Sequence, residues 1–308
     1  MEQLAPLYPQ QECKAIAVRM LKELLVGYKG YEHMVEPATE LDTFQLEGSA
    51  EKNQSSRQHP GIEKHLLSCV ERLATGEPLQ YVMGFEWFCG HKFNVAPGVL
   101  IPRPETEELV CKAIGFAQQH QSANPLRILD ICTGSGCIAW SMAAAVAQAE
   151  VCACDISQQA LQIARSQQIQ CADGTLAIVK FLECDILGKD AQQKIAQACG
   201  EGEFNLIISN PPYVCECEKS QMRENVLNHE PHLALFVPDN DPLKFYRAIA
   251  QLSGRILSPG GALMFEINER FGAETAQMMQ QMGYTNCQVL QDLFGKDRMV
   301  VDYKEGVS

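Results

Sequence analysis

The hydrophobic pattern of the chain changes its period along its length. From Gln10 to Leu25, Ile16, Ala17, Met20, Leu21, Leu24 and Leu25 recur at helical spacing, and Gly27 and Gly30 break the pattern. Ile62, Leu66, Leu67, Val70 and Leu73 repeat that spacing and stop near Gly76. Between them, Glu47 to His59 is polar and rich in Ser, Gln and Asn, which predicts a loose loop. No strand pattern occurs before Tyr81, so residues 1–80 read as a small helical domain. Between Gln80 and Pro102 the aromatics Phe85, Trp87, Phe88 and Phe93 stand among glycines, which fits a hairpin or two short strands followed by a Pro97-Gly98 turn. We read 81–104 as a connector and 105–308 as the main domain.

From Leu126 onward strands and helices alternate. Arg127 to Ile131 is an apolar run ending in a glycine turn, followed by a small-residue helix from Ile138 to Ala147. Glu150 to Cys154 is the next strand, and Ser157 is a good N-cap for a helix through Arg165. Strands are expected at Ala177 to Leu182, Phe204 to Ser209 and Gly261 to Ile267, with helices at Leu243 to Leu257 and Glu274 to Met282. Asn286 to Leu290 and Arg298 to Asp302 close the chain as two strands with no helix between them. Such alternation implies an α/β fold with a parallel sheet covered on both faces, and the closing pair adds one antiparallel strand.

Composition narrows the function class. With 25 basic and 38 acidic residues the net charge is −13, which argues against binding nucleic acid mainly through phosphate neutralisation. Met1-Glu2-Gln3-Leu4 lacks the basic and apolar regions of a signal peptide, and no apolar run is long enough to cross a bilayer. The fourteen cysteines are therefore expected as reduced thiols in a cytoplasmic protein. Cys152-x-Cys154 and Cys215-x-Cys217 lack the spacing of a metal site, and no metal is expected.

Chemistry concentrates at the ends of the strands. Two prolines stop the run Phe204–Ser209, because neither offers an N–H to a sheet. The loop Asn210-Pro211-Pro212-Tyr213 then carries a carboxamide and an aromatic ring, a combination that grips a planar group bearing an NH2. The first strand ends in Asp130-Ile131-Cys132-Thr133-Gly134-Ser135-Gly136, where glycines bring backbone close to a ligand at a helix N-terminus. This pattern alone also fits a dinucleotide site or a plain tight turn. Asp155, Asp185 and Asn210 end the next three strands, at the edge where open α/β sheets bind ligands. A ribose diol suits Asp155 and an adenine amino group suits Asp185; the Asn210-Pro211-Pro212-Tyr213 loop beyond them, for which a dehydrogenase has no need, favours methyl transfer from S-adenosylmethionine.

On these residues the chain resembles the protein-glutamine N-methyltransferases of peptide-chain release factors, from about Gly76 to Tyr303. The likeness includes Gly76-Glu77-Pro78-Leu79-Gln80-Tyr81, Ile101-Pro102-Arg103-Pro104-Glu105-Thr106-Glu107-Glu108, Glu230-Pro231, Pro259-Gly260-Gly261 and Asp292-Leu293-Phe294-Gly295-Lys296-Asp297-Arg298, beside the glycine loop and Asn210–Tyr213. Asn-Pro-Pro-Tyr is shared with adenine-amino methyltransferases of DNA and RNA; the Ile101–Glu108 segment is more specific. The resemblance implies a seven-stranded, Rossmann-like methyltransferase fold whose N-terminal helical domain helps hold the release factor. Its substrate would be the glutamine of the Gly-Gly-Gln motif of class I release factors, with no direct nucleic-acid or membrane partner. Carried over by position, Cys132, Thr133, Gly134, Ser135, Gly136, Asp155, Asp185, Ile186 and Asn210 bind the cofactor, and Asn210, Pro211, Pro212 and Tyr213 hold the glutamine amide. Asn210, Pro211 and Tyr213 would be catalytic, S-adenosylhomocysteine the product. Arg103, Glu105 and Thr106 would either close over the cofactor or fix the connector. Two positions depart from the family pattern: Cys132 and Asn268 stand where glycine is usual.

Overall fold

The computed structural model describes residues 7–26, 60–120 and 125–305; the expected loop Glu47–His59 and the breaks at Gly27 and Gly30 lie outside the described residues. The chain divides into two compact units, Met1–Met83 and Gly84–Ser308. In the first, helices α1 (Gln10–Val26), α2 (Pro60–Ala74) and α3 (Leu79–Met83) contribute Cys13, Ile16, Met20, Cys69, Leu73 and Val82 to a small apolar cluster. The Arg72 guanidinium donates to both Glu77 carboxylate oxygens at 2.8 and 2.5 Å and to the carbonyls of Tyr81 and Val82, which fixes the turn between α2 and α3.

The second unit opens with a hairpin of β1 (Phe85–Phe88) and β2 (His91–Asn94), paired antiparallel. Helix α4 (Pro104–Gln119) follows, starting on a proline, whose missing N–H costs nothing in a first turn. Then come β3 (Arg127–Ile131), α5 (Cys137–Ala145), β4 (Glu150–Asp155), α6 (Gln158–Arg165), β5 (Val179–Glu183), α7 (Ala191–Cys199) and β6 (Phe204–Ser209). An excursion holds β7 (Val214–Cys215), a 3-10 turn, α8 (Glu224–His229), α9 (His232–Leu235) and β8 (Phe236–Val237). The chain closes with α10 (Lys244–Ile256), β9 (Leu257–Glu266), α11 (Gly272–Gln281), β10 (Gln288–Gln291) and β11 (Asp297–Tyr303).

Seven strands form one sheet in the order β10-β11-β9-β6-β3-β4-β5. All neighbours pair in parallel except β11, which runs antiparallel to both β9 and β10. This is the expected α/β sheet with one reversed strand. Period-two alternation splits the core between its two faces. Leu129, Ile131, Ile207, Leu263 and Phe265 pack with α7, α10 and α11, whereas Ile128, Leu206, Ile208 and Met264 pack with α4, α5 and the hairpin aromatics Phe88 and Phe93. The hairpin is thus part of the second unit's core.

Two strand starts differ from the hydrophobic pattern by two residues or more and have a visible cause. Strand β5 starts at Val179, because the Ala177 N–H is spent on the Ile169 carbonyl and Ile178 lies exposed at the sheet edge. Strand β9 starts at Leu257, four residues before Gly261, and Pro259-Gly260 fall in a register break against β6. A proline tolerates that place because a bulge leaves its missing N–H without consequence. Helices α4 and α7 and the elements between Val214 and Val237 were not expected from the pattern, although Leu109, Val110, Ala113, Phe116 and Ala117 of α4 stand at helical spacing and are buried.

Candidate active site

The strand order reverses between β3 and β6: the chain passes outward through β4 and β5, then returns to the other side of β3 as β6 and β9. The crevice at the carboxyl ends of β3 and β6 is the place for a ligand in such a sheet. A cavity of about 250 Å³ lies there. Cys132, Thr133, Gly134 and Ser135 line it, together with Asp155, Asp185, Ile186, Asn210 and Pro212. Gly136, Pro211 and Tyr213, also expected at the site, do not line it. Arg103 and Thr106 do, which brings the start of α4 into the cavity wall.

The glycine loop is held in shape from below. Gly134 and Gly136 have φ of +55° and +82°, and Cys132, a non-glycine residue, has +62°. Left-handed backbone costs an L-residue about 1–2 kcal/mol, a strain that glycine at position 132 would relieve. The two glycines serve different ends. A Cβ on Gly136 would stand 2.9 Å from the Trp140 ring and 3.1 Å from the Ala164 Cβ, inside the packing of α5 against α6. A Cβ on Gly134 would meet nothing within 4 Å, because the space before it is the cavity. Gly136→Ala is therefore expected to lower the melting temperature by several degrees. Gly134→Ala should leave a folded protein whose cofactor affinity falls at least tenfold, by calorimetry. Equal thermal losses with equal affinities would refute the distinction.

Asp155 ties this loop to β4. One carboxylate oxygen accepts the Gly134 N–H at 2.8 Å and the other the Ser157 N–H at 2.9 Å. Burial holds its pKa above the ordinary carboxylate value, and the backbone N–H bonds oppose the rise. Ser157 also caps α6, its hydroxyl accepting the Ala160 N–H at 3.2 Å. The Asp185 carboxylate accepts the Leu187 N–H at 2.9 Å, beside the apolar ledge of Ile186. Asp130 lies beneath the loop, fully buried. One of its oxygens accepts from the Thr133 hydroxyl at 2.5 Å and from the Ala139 N–H at 3.2 Å, and the other has no partner among the described residues. Burial pushes its pKa up to about 7.

That shift has a sign. A carboxyl group whose pKa is higher folded than unfolded stabilises the protein below the unfolded pKa, and the stabilisation is lost as pH rises through about 7. Asp130→Asn removes this loss, so the variant should gain roughly 3 kcal/mol on the parent chain between pH 5 and pH 8. Urea midpoints of the two proteins moving in parallel over that range would exclude it.

At the other end of the cavity the two prolines bring Asn210 out of β6. Its Nδ2 donates to the Thr106 hydroxyl at 3.1 Å, and that hydroxyl donates to Glu266 Oε2 at 2.6 Å. Tyr213 donates its hydroxyl to Glu266 Oε1 at 2.9 Å, which anchors the ring. Burial and the Glu266 charge raise the Tyr213 pKa well above its ordinary value, so it stays protonated. Glu266, at the end of β9, is 1% exposed, and burial raises its pKa while Thr106 and Tyr213 oppose the rise. Glu230, 4% exposed, accepts the Ile101 N–H at 3.0 Å and pairs with Arg103 at 2.5 Å. Two segments that line the cavity, 98–103 and 231–234, are thereby fastened together. Neither Glu266 nor Glu230 stood out in the sequence as a site residue. The signal for Glu266 was a carboxylate closing the otherwise apolar run Ala262-Leu263-Met264-Phe265.

The residues present fit S-adenosylmethionine. The open space before Gly134 admits a ligand against bare backbone, Asp155 and Asp185 offer acceptors for hydroxyl and amino groups, and Ile156, Ile186 and Leu187 offer apolar surface for a flat base.

Residues 116–233 match the family model described as Methyltransferase small domain. The release factor glutamine methyltransferase of Bacteroides thetaiotaomicron is 45% identical over 238 residues, which covers 77% of this chain and 80% of that protein. The protein of the same name from Flavobacterium psychrophilum is 42% identical over 297 residues, covering 96% and 94%. A methyltransferase structure from Pyrococcus furiosus aligns with a TM-score of 0.47 at 16% identity, covering 80% of this chain and 99% of that one.

Proposed function

The chain belongs to the release factor glutamine methyltransferase family, and from this premise we propose that it methylates the side-chain amide nitrogen of the glutamine in the Gly-Gly-Gln motif of class I release factors, using S-adenosylmethionine. The observation that carries the reading is that one cavity joins the glycine loop, Asp155 and Asp185 to Asn210. Nucleoside recognition and amide recognition thus share a wall. Residues 1–80 serve as the recognition domain for the release factor in this proposal.

When bound, S-adenosylmethionine supplies a methyl group made electrophilic by its sulfonium. The chain's own residues prepare the acceptor. An amide nitrogen is a poor nucleophile because its lone pair is delocalised into the carbonyl. In this proposal Asn210 Oδ1, in the cavity wall, and the carbonyl of Pro211, next to it in the chain though outside the lining of the ligand-free cavity, accept the two N–H hydrogens of the glutamine amide, which favours a pyramidal nitrogen with its lone pair turned to the methyl. Transfer would form the N–C bond and break the S–C bond of the bound cofactor; the nitrogen would become acidic only then, so its proton could leave to solvent without a strong base from the chain. Orientation of this kind is worth on the order of 7–11 kcal/mol in well-aligned reactions.

The deciding experiment supplies methyl-labelled S-adenosylmethionine, a class I release factor and total nucleic acid together. Label should enter the release factor and vanish when its Gly-Gly-Gln glutamine is replaced. Label in nucleic acid alone would instead identify an adenine-amino methyltransferase.

A further inference from the structure

Asn210 has two ends, and the chemistry proposed for it works with only one of them facing the substrate. A carboxamide turned the wrong way would present its NH2 to the NH2 of the incoming amide, two donors face to face. Something in the fold must set the direction. Asn210 itself stands where β6 gives way to two prolines, neither of which has an N–H to offer its side chain.

The side chains behind it do. Glu266 is buried, and both of its carboxyl oxygens act as acceptors toward the hydroxyls beside it. It takes the Thr106 hydroxyl proton at 2.6 Å and the Tyr213 hydroxyl proton at 2.9 Å. Thr106, 2% exposed at the start of α4, has a single proton. Once that proton is committed to Glu266, its oxygen is left as an acceptor, and the neighbour 3.1 Å away must be a donor. The neighbour is Asn210 Nδ2. Its Oδ1 therefore points away from Thr106.

We infer that Glu266 and Thr106 are positioning residues, a one-way hydrogen-bond relay that fixes which end of the Asn210 carboxamide meets the acceptor amide. The inference rests on the methyl-transfer reading of the Asn210 site. Neither residue touches the reacting atoms; each acts through Asn210. Glutamine at 266 is nearly isosteric but carries a donor. It can turn its NH2 to Thr106, which then donates to Asn210, and the Asn210 carboxamide flips. Direction is lost with shape retained.

The test uses three variants of the full chain. Glu266→Gln and Thr106→Val should each lower kcat on the order of fiftyfold, with KM for the release factor and the cofactor dissociation constant within about threefold of the parent. Thr106→Ser keeps the hydroxyl and should stay within about threefold in kcat. If Glu266→Gln keeps full turnover, or Thr106→Ser is as impaired as Thr106→Val, the relay is refuted. A second readout needs no substrate. Nitrogen-15 NMR of the Asn210 side-chain amide, assigned by its loss in Asn210→Asp, should show slow proton exchange in the parent and fast exchange in Glu266→Gln. Unchanged exchange overturns the relay. A parent chain that shows this NMR behaviour and yet fails to label a release factor overturns only the substrate assignment.

Discussion

Replacing Asn210 with Ala is expected to lower kcat by about three orders of magnitude while the cofactor dissociation constant changes no more than a few-fold. A thousandfold loss is about 4 kcal/mol of transition-state stabilisation, well within what orientation supplies. Alanine removes the acceptor for one amide hydrogen and with it the means of turning the nitrogen lone pair. Asn210→Asp should fare little better, although it has the same shape. It places a second carboxylate at the Thr106 hydroxyl, whose one proton already serves Glu266 at 2.6 Å. One carboxylate is then left without its donor in a buried place, and the loop shifts or the group takes up a proton. Single-turnover rates with cofactor binding measured separately decide the matter. Turnover near the parent rate in Asn210→Ala, at unchanged cofactor affinity, would mean that the glutamine amide is held by something else.

The second large effect is on cofactor binding. Asp155→Ala should weaken it more than a hundredfold and cost the ligand-free protein stability as well. The carboxylate makes two bonds within the protein, to the Gly134 and Ser157 N–H groups, and would be the acceptor for the ribose hydroxyls. Bonds to a charged group contribute about 1.5–3 kcal/mol each, so losing the ribose contacts alone accounts for a factor near a hundred. The loop effect adds to it, because Gly134 is no longer tied to β4. Burial disfavours the Asp155 charge, so part of the loss in stability is returned when the carboxylate is removed. Calorimetric titration with S-adenosylmethionine and with S-adenosylhomocysteine should show the same factor, since both carry the ribose. A dissociation constant within threefold of the parent would reduce Asp155 to a brace for the glycine loop.

Much of this architecture was legible in the chain. Phe204–Ser209 and Arg127–Ile131 are apolar runs with sharp ends, two prolines in one case and a glycine turn in the other, and both strands have the expected bounds. Ser157 caps its helix as a serine before an amphipathic run should. The cavity residues after β3, β4, β5 and β6 were legible because strand ends in a parallel sheet share an edge. What sequence could not supply is pairing across long separations. Thr106 and Glu266 lie 160 residues apart, and only the sheet order and the placement of α4 bring their oxygens to 2.6 Å. For the same reason the bond between the Tyr213 hydroxyl and Glu266, on a different strand, left no trace in the sequence.

The strand order also has a consequence for how the protein is made. Strands β3, β4 and β5 are neighbours in synthesis as well as in the sheet, so the half that carries the glycine loop, Asp155 and Asp185 pairs early as the chain leaves the ribosome. The other half grows onto the open edge of β3 in the order β6, then β9. Strand β10 emerges before β11 but pairs only with it, so the last hairpin waits for the final residues. Glu266 closes β9, late in this sequence of events. The strands of the nucleoside half are thus made before the brace behind Asn210, and a chain that stops short of β9 has the first without the second.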